Sequence, residues 1–457
     1  MSDVPYDFQD RHVCVMGLGY VGLTLAVVMA EVGFEVTGVE IRKDVTERLK
    51  AGEPHFFEPG LKERLQRVVE SGSLTIVTNI PVQCNVSTYV VTVGTPLGAG
   101  KQVRKDMISN VAKEIGTHLK DGDMVVMRST VELGTTRKLI KPILDSVGKE
   151  YDLVFCPERT LEGRAIRELR ELPQIVGGQH LNARIRAARL FQFLTPTVVQ
   201  VSSLETAELI KLIDNSQRDV QFALANEVAR ISDAIGVSAM EVIQAGKLGY
   251  PRTNLPVPGP VGGPCLEKDS YILANGLNES KVRPEIIMAA RQVNENQPEE
   301  VVEGLKKYSL MVEGFSKKPV ITLAGLAFKG RPETDDLRGS MAFPILKALR
   351  KNFPSAEFRA FDPVVAPVVV EKEFELPTVL SIKEAFEGSS LLVIANNHSC
   401  FENISLSSLA AHMADPGIVF DFWNNFSLAD AVLPEKRTYI GLGELGRAMK
   451  SIEGGND

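Results

Sequence analysis

Cys265 and Asp269, one helical turn apart in "GPVGGPCLEKDSYIL", are the residues of this chain best suited to making and breaking covalent bonds. A thiolate attacks carbonyl carbon, and a thiol at a helix N-terminus with a lysine nearby has its thiolate favoured. Cys265 follows a glycine- and proline-rich run and opens the helical pattern "LEKDSYILANGL". The charge of Asp269 opposes a thiolate, which suits it to proton handling or to holding a water. An inert buried cysteine after a turn reads the same way at this level. Two further pairs have helical spacing: Lys211 with Asn215, and Glu158 with Glu162. Residues four apart share a helix face. A helical lysine is ordinarily solvated, however, and acidic residues are common at helix starts.

A second kind of chemistry lies near the N-terminus. The apolar run His12 to Met16 meets Gly17-Leu18-Gly19-Tyr20-Val21-Gly22, which opens a helical stretch. In such a turn the first two glycines let backbone approach a pyrophosphate, the third lets helix pack on strand, and the helix N-terminus attracts phosphate. Glu40 stands 18 residues beyond Gly22 at the end of the next strand. A carboxylate there accepts from ribose hydroxyls and repels a 2′-phosphate, which favours NAD, although Arg42 and Lys43 leave room for NADP. "VGTP" (Gly94, Thr95, Pro96) and "RST" (Ser129, Thr130) end later strands, where such ligands lie.

These groups need elements to hold them. Strand candidates "TYVVTVGTP", "DMVVMRST" and "DLVFCPE" each follow a helical stretch, which predicts a parallel doubly wound α/β sheet. From Ser202 no Gly or Pro interrupts the chain until Gly236, and Ser202 with Glu205 has capping-box spacing. This predicts a helix of roughly 50 Å, a backbone between two lobes or a subunit interface. After "NENQPEE" a second αβ lobe begins with "KPVITLAGLAFKG" and "AEFRAFDP", its strand ending in Asp362 as the first lobe's ends in Glu40. The expected division is 1–201, 202–309 and 310–457.

At 457 residues the chain exceeds one core, and 44% hydrophobic with 24% charged residues is ordinary for a globular protein. A net charge of −7 argues against a nucleic-acid groove. The five cysteines (Cys14, Cys84, Cys156, Cys265, Cys400) lack CxxC spacing, so neither a disulfide framework nor a structural metal site is expected. The first residues lack a signal peptide's apolar core, and no apolar run approaches the roughly 20 residues that span a bilayer. A cytoplasmic protein with no membrane partner is expected.

Taken in order, GxGxxG, "FFEPGL", "VGTP", "RSTVELGTT", "CPERTLEG", "ELIKLIDN", "GGPCLEKD" and "GLAFKGRPETDDLR" resemble the UDP-glucose/GDP-mannose dehydrogenase family over nearly the whole chain. The resemblance implies an N-terminal Rossmann-like NAD domain, a long central helix with a helical middle domain at a homodimer interface, and a C-terminal Rossmann-like UDP-sugar domain. It implies oxidation of a sugar C6 alcohol to a carboxylate with two NAD, Cys265 carrying a thiohemiacetal and then a thioester. Lys211 and Asn215 match the pair that stabilises the oxyanion. Asp269 and Thr130 match residues that handle water, and Glu158 and Glu162 the acidic pair near sugar and nicotinamide, with Glu162 the general acid/base. Glu40 matches the ribose ligand. Arg159, Arg164, Asn254, Gly262, Lys329 and Arg338 match substrate-side positions, and Arg252 an arginine that reaches the neighbouring subunit's site.

Pro264 departs from the family's usual GGHC or GGYC: it supplies no donor and stiffens the loop. "PER…GR" resembles the UDP-N-acetylhexosamine branch, within it the N-acetylmannosamine enzymes. UDP-glucose, N-acetylglucosamine and N-acetylgalactosamine substrates remain alternatives. The product would be a uronic acid for polysaccharide or glycan assembly. Two other classes compete. A β-hydroxyacid dehydrogenase leaves Cys265 and the second lobe unexplained, and a non-catalytic nucleotide-sugar-binding regulator is suggested by Pro264 alone.

Overall fold

The computed structural model describes residues 4–82, 85–402, 404–426 and 432–454; Cys84 lies outside them. The chain divides into two compact units, Met1–Asn215 with Lys268–Arg283, and Ser216–Glu267 with Pro284–Asp457. The stretch 202–309 is therefore shared between the two units.

The first unit is built on strands β1 (His12–Met16), β2 (Glu35–Val39), β3 (Leu74–Val77), β4 (Thr88–Val91), β5 (Asp123–Met127), β6 (Tyr151–Phe155), β7 (Gln174–Gly178) and β8 (Val198–Val201). Their order is β3-β2-β1-β4-β5-β6-β7-β8, with every neighbouring pair parallel except β6 and β7. That antiparallel pair departs from the expected all-parallel sheet. Parallel strands are covered on both faces and read as unbroken apolar runs. Here β4 (TYVV) and β5 (DMVVM) are buried at every position. One core, with Val13, Val15, Leu25 and Phe34, lies on one side of the sheet; another, with Cys14, Met16, Tyr89 and Phe155, uses the alternate side chains of the same strands.

The second unit carries β9 (Val320–Ala324), β10 (Glu357–Phe361), β11 (Leu391–Ile394), β12 (Gly417–Asp421) and β13 (Arg437–Gly441) in the order β10-β9-β11-β12-β13, all parallel. Both sheets thus reverse direction beside their first strand, between β1 and β4 and between β9 and β11. Ligands of open α/β sheets bind at the carboxyl ends of strands at such a reversal.

The long helix runs Leu204–Ile235, 32 residues, or about 48 Å. Its cap is Ser203, whose Oγ accepts from Thr206 N at 3.1 Å, rather than the expected Ser202; Glu205 pairs instead with Arg137. An unusual line of polar residues runs along it: Glu208, Lys211, Asn215, Asp219 and Asn226 are all buried. Steps of three, four and seven residues keep them on one face, the reverse of ordinary amphipathic patterning.

Candidate active site

The glycine turn joins β1 to the helix Tyr20–Glu31. Gly17 has φ +92°, in the left-handed region that favours glycine. A Cβ on Gly22 would lie 1.8 Å from the Gly17 carbonyl oxygen and 2.5 Å from Thr92 Oγ1, so helix and strand approach too closely for any side chain. Around Gly19, the residue before the helix, a Cβ would meet nothing within 4 Å. The turn therefore leaves open room at a helix N-terminus that lacks a side-chain cap. That cradle fits a pyrophosphate.

Glu40 faces the same turn: its carboxylate accepts from Leu18 N at 3.3 Å and Arg42 N at 3.0 Å. One neighbour there, His55, was not singled out from sequence. Burial, reinforced by Arg42, pushes His55 down to about 4, so its ring is neutral near pH 7. Tyr20 stacks on Phe56 with ring centroids 3.9 Å apart.

The ends of β4 and β5 place the next expected residues. Gly94 and Pro96 are exposed and Thr95 is buried, donating to the Thr130 carbonyl. Ser129 Oγ donates to Val91 O at 3.3 Å. The following residues diverge in role. Arg128, fully buried, donates to Glu158 Oε2 at 3.1 and 2.8 Å and to Gln174 Oε1 at 3.0 and 3.1 Å. Glu158 Oε1 accepts from the backbone N–H of Arg159 and Thr160 at 2.7 and 2.8 Å. Burial opposes its charge, but the Arg128 guanidinium and the Thr160 N–H outweigh burial and hold its carboxyl below the usual range. Glu158 is therefore a fixed anion that organises the loop after β6. Burial pushes the neighbouring Cys156 thiol up to about 12.

Glu162 is half-buried in the turn before the helix Ala165–Glu171, and Arg164 is exposed just ahead of that helix. Arg159 Nε donates to Asp214 Oδ2 on the long helix at 3.0 Å. Glu58, within the "FFEPGL" segment, accepts from Gly163 N and Ala165 N at 2.6 and 2.8 Å and so closes the Glu162 turn from below.

On the long helix, Glu208 accepts from Gly134 N and Thr136 N at 2.6 and 3.0 Å. Lys211, 9% exposed, has no hydrogen-bond or ion-pair partner among the described residues; its charge acts on Glu158 from a distance. One turn on, Asn215 Nδ2 donates to Asp269 Oδ2 at 2.6 Å, and Lys268 Nζ donates to Asp269 Oδ1 at 3.0 Å. The structure thus joins Asn215 to Asp269, while Lys211 shares the helix face of Asn215.

Cys265 is exposed in the first turn of the helix Gly263–Gly276, on which Asp269 follows four residues later. Pro264 occupies the second position of that helix, where a missing N–H breaks no helical hydrogen bond. The glycines before the cysteine are sterically required. Gly263 has φ +90°, and its Cβ would lie 2.4 Å from Phe328 Cδ2; a Cβ on Gly262 would lie 2.2 Å from the Gly339 carbonyl oxygen. Gly263 N donates to that oxygen at 2.7 Å.

In the second unit Lys329 and Arg338 stand next to the residues that seat this loop, Phe328 and Gly339. Lys329 Nζ lies 5.2 Å from the centroid of the Phe328 ring, and Arg338 forms a bidentate pair with Asp336 at 3.0 and 2.7 Å. Asp362, the counterpart of Glu40, accepts from four backbone N–H groups, those of Leu326, Ala327, Val364 and Val365, at 2.6 to 3.1 Å. It closes its own turn with four such bonds, as Glu40 braces its turn with two. Arg252 and Asn254 lie in an exposed segment, with the Arg252 guanidinium 4.5 Å from the Tyr250 ring centroid.

A glycine turn fitted to a dinucleotide, a lysine and amide on one helix, and a cysteine loop seated on a second nucleotide-binding lobe define a cofactor-dependent oxidoreductase of nucleotide-linked substrates. The chain belongs to the UDP-glucose/GDP-mannose dehydrogenase family: residues 11–195 match its NAD-binding domain, 205–296 its central domain and 322–427 its UDP-binding domain. It is an NAD-dependent UDP-sugar dehydrogenase. The chain is 31% identical over 407 residues to a UDP-N-acetyl-D-mannosamine dehydrogenase of Methanococcus maripaludis, covering 87% of this chain and 88% of that one. It is 35% identical over 359 residues to an NDP-N-acetyl-D-galactosaminuronic acid dehydrogenase of Ralstonia nicotianae, covering 76% and 82%. The solved UDP-D-ManNAc dehydrogenase of Pyrococcus horikoshii superposes with a TM-score of 0.84 at 29% identity, covering 95% of this chain and 100% of that one. Among the described residues, no helix is long and apolar enough to cross a membrane.

Proposed function

We propose that this enzyme oxidises the C6 alcohol of UDP-N-acetylmannosamine to the uronic acid in two successive steps through a thioester on Cys265. Relatives named for that substrate support the choice of sugar, and a relative named for N-acetylgalactosaminuronic acid makes the galacto epimer the second reading. Gly17, Gly19 and Gly22 would hold NAD with Glu40 at its ribose, and the bound cofactor would supply the hydride acceptor for both oxidations.

The chain's own residues do the rest. After the first oxidation the Cys265 thiolate adds to the C6 aldehyde, forming a sulfur–carbon bond while the carbonyl π pair moves onto oxygen. The Lys211 ammonium and the Asn215 amide hold that oxyanion; preorganised donors in a site sheltered from water stabilise such charge strongly. The second oxidation leaves the thioester. Water, deprotonated by Glu162, adds to its carbonyl, the carbon–sulfur bond breaks, and the thiolate returns to Cys265 as the acid leaves. Asp269 fixes the Asn215 amide, and Thr130 lies at a strand end suited to placing water. Lys329 and Arg338 take the UDP-sugar, and Arg252 serves the partner's site in a homodimer. The product suits assembly into polysaccharide.

The observation that carries this reading is the 2.6 Å hydrogen bond from Asn215 to Asp269, which orients an amide donor beside a buried lysine on one helix face. The test is a panel of UDP-sugars with NADH counted against sugar consumed and the product identified by mass spectrometry. Two NADH per UDP-N-acetylmannosamine with no free aldehyde is expected. One NADH per sugar, or binding without turnover across the panel, would reject it.

A further inference from the structure

Four buried polar side chains take no part in the reaction above: Asp219 and Asn226 on the long helix, and Arg291 and Asn294 on the helix Glu285–Met311. None is more than 1% exposed. Arg291 Nη1 donates to Asp219 Oδ1 at 2.8 Å and to the Leu266 carbonyl at 3.0 Å; Nη2 donates to the Val261 carbonyl at 3.0 Å. Asn294 Nδ2 donates to Asp219 Oδ1 at 2.8 Å and to its backbone oxygen at 3.0 Å. Asn226 Nδ2 donates to Asn294 Oδ1 at 2.9 Å and to the Gly259 carbonyl at 3.0 Å, and its Oδ1 accepts from Gly259 N at 2.9 Å.

Four hydrogen bonds of this network reach one short stretch of backbone, at Gly259, Val261 and Leu266, and that stretch contains Cys265; Arg291 Nε also lies 3.7 Å from the Glu295 carboxylate. A tight turn does not need a buried ion pair to hold its shape, and apolar packing commonly serves as well or better. What a buried polar network adds is a single geometry, because each hydrogen-bonded donor has one direction in which it is satisfied. Phe328 and Gly339 pack closely against Gly262 and Gly263 of the same loop, so the loop backbone has a second set of contacts.

We propose that Arg291, braced by Asp219 and Asn294, is a positioning residue for the Cys265 nucleophile, with Asn226 fixing the start of the same loop at Gly259. The assignment rests on the reading of Cys265 given above. Its consequence is specific to the middle of the reaction: the first oxidation does not need the sulfur, whereas capture of the aldehyde does. Loosening the loop lets aldehyde escape before the sulfur reaches it, and a misplacement of about 1 Å lowers a positioned step about a hundredfold.

The experiment uses the full-length enzyme with UDP-N-acetylmannosamine and NAD, comparing wild type, Arg291→Lys, Asn226→Ser and Cys265→Ser. It records acid formed, aldehyde captured by added hydroxylamine, KM for NAD, and the melting temperature. Folded Arg291→Lys and Asn226→Ser are expected to form acid about ten- to a hundredfold more slowly, with KM for NAD within about twofold of wild type and with captured aldehyde increased. A merely structural role would not move the aldehyde-to-acid ratio. An unchanged ratio in the folded variants overturns the proposal, and if Arg291→Lys does not fold, Asn226→Ser decides it alone. Acid formation by Cys265→Ser at the wild-type rate would instead reject the nucleophile reading itself, so the two failures are distinguishable.

Discussion

Arg128 and Glu158 form a buried ion pair, with guanidinium nitrogens 3.1 and 2.8 Å from one carboxylate oxygen. The pair links the end of β5 to the loop after β6, and so sets where Glu162 and Arg159 begin. Replacing one member of such a pair strands the other's charge. Glu158→Gln is therefore expected to destabilise the first unit by about 3–5 kcal/mol, read as a lowered thermal midpoint. Because Glu158 is held below its ordinary value, its stabilisation is full above about pH 4.5, the unperturbed value for a glutamate. It is lost as pH falls through the lowered folded value, so the variant's deficit should shrink in acid.

The glycine turn separates packing from ligand room. Gly22→Ala forces a Cβ within 1.8 Å of backbone oxygen and should disrupt the turn itself, lowering both the melting temperature and NAD binding. Gly19→Ala meets nothing within 4 Å. It should melt like wild type while weakening NAD at least about tenfold, a loss of about 1.4 kcal/mol. Calorimetric titration with NAD checks both.

Asp421 and Asp233, both in the second unit, are raised to about 6 by burial. These two groups therefore hold more protons in the folded than in the unfolded chain between about pH 4 and 6, and stability from them falls as pH rises through that window. Asp421→Asn removes one titration and keeps an acceptor oxygen. Its melting temperature should gain on wild type as pH increases from 4 to 7; parallel curves would contradict this.

Much of the site was readable because its signals are local. Gly17 to Gly22, Glu40 and Cys265 each sit in a short stretch whose residue types have few physical uses. What escaped is non-local. Glu58 reaches Gly163 and Ala165 from more than a hundred positions away, and Arg291 reaches Leu266 through a helix whose pattern looks ordinary. One periodic signal was available: Glu208, Lys211, Asn215, Asp219 and Asn226 fall on one helical face, and such a polar line on a long helix marks buried work. The capping serine was misplaced by one residue because Ser202 and Ser203 are chemically equivalent until the turn is seen. Strand β7 runs antiparallel to β6, a direction its residues do not encode.

The central claim is the covalent intermediate, and intact-protein mass spectrometry of a rapidly quenched Glu162→Gln variant, incubated with UDP-N-acetylmannosamine and NAD, tests it most directly. With hydrolysis slowed, the mass of the enzyme should rise by one UDP-linked acyl group, located by peptide mapping on Cys265. An adduct on another residue, or two NADH formed per sugar in a single turnover with Cys265 never modified, would contradict the account.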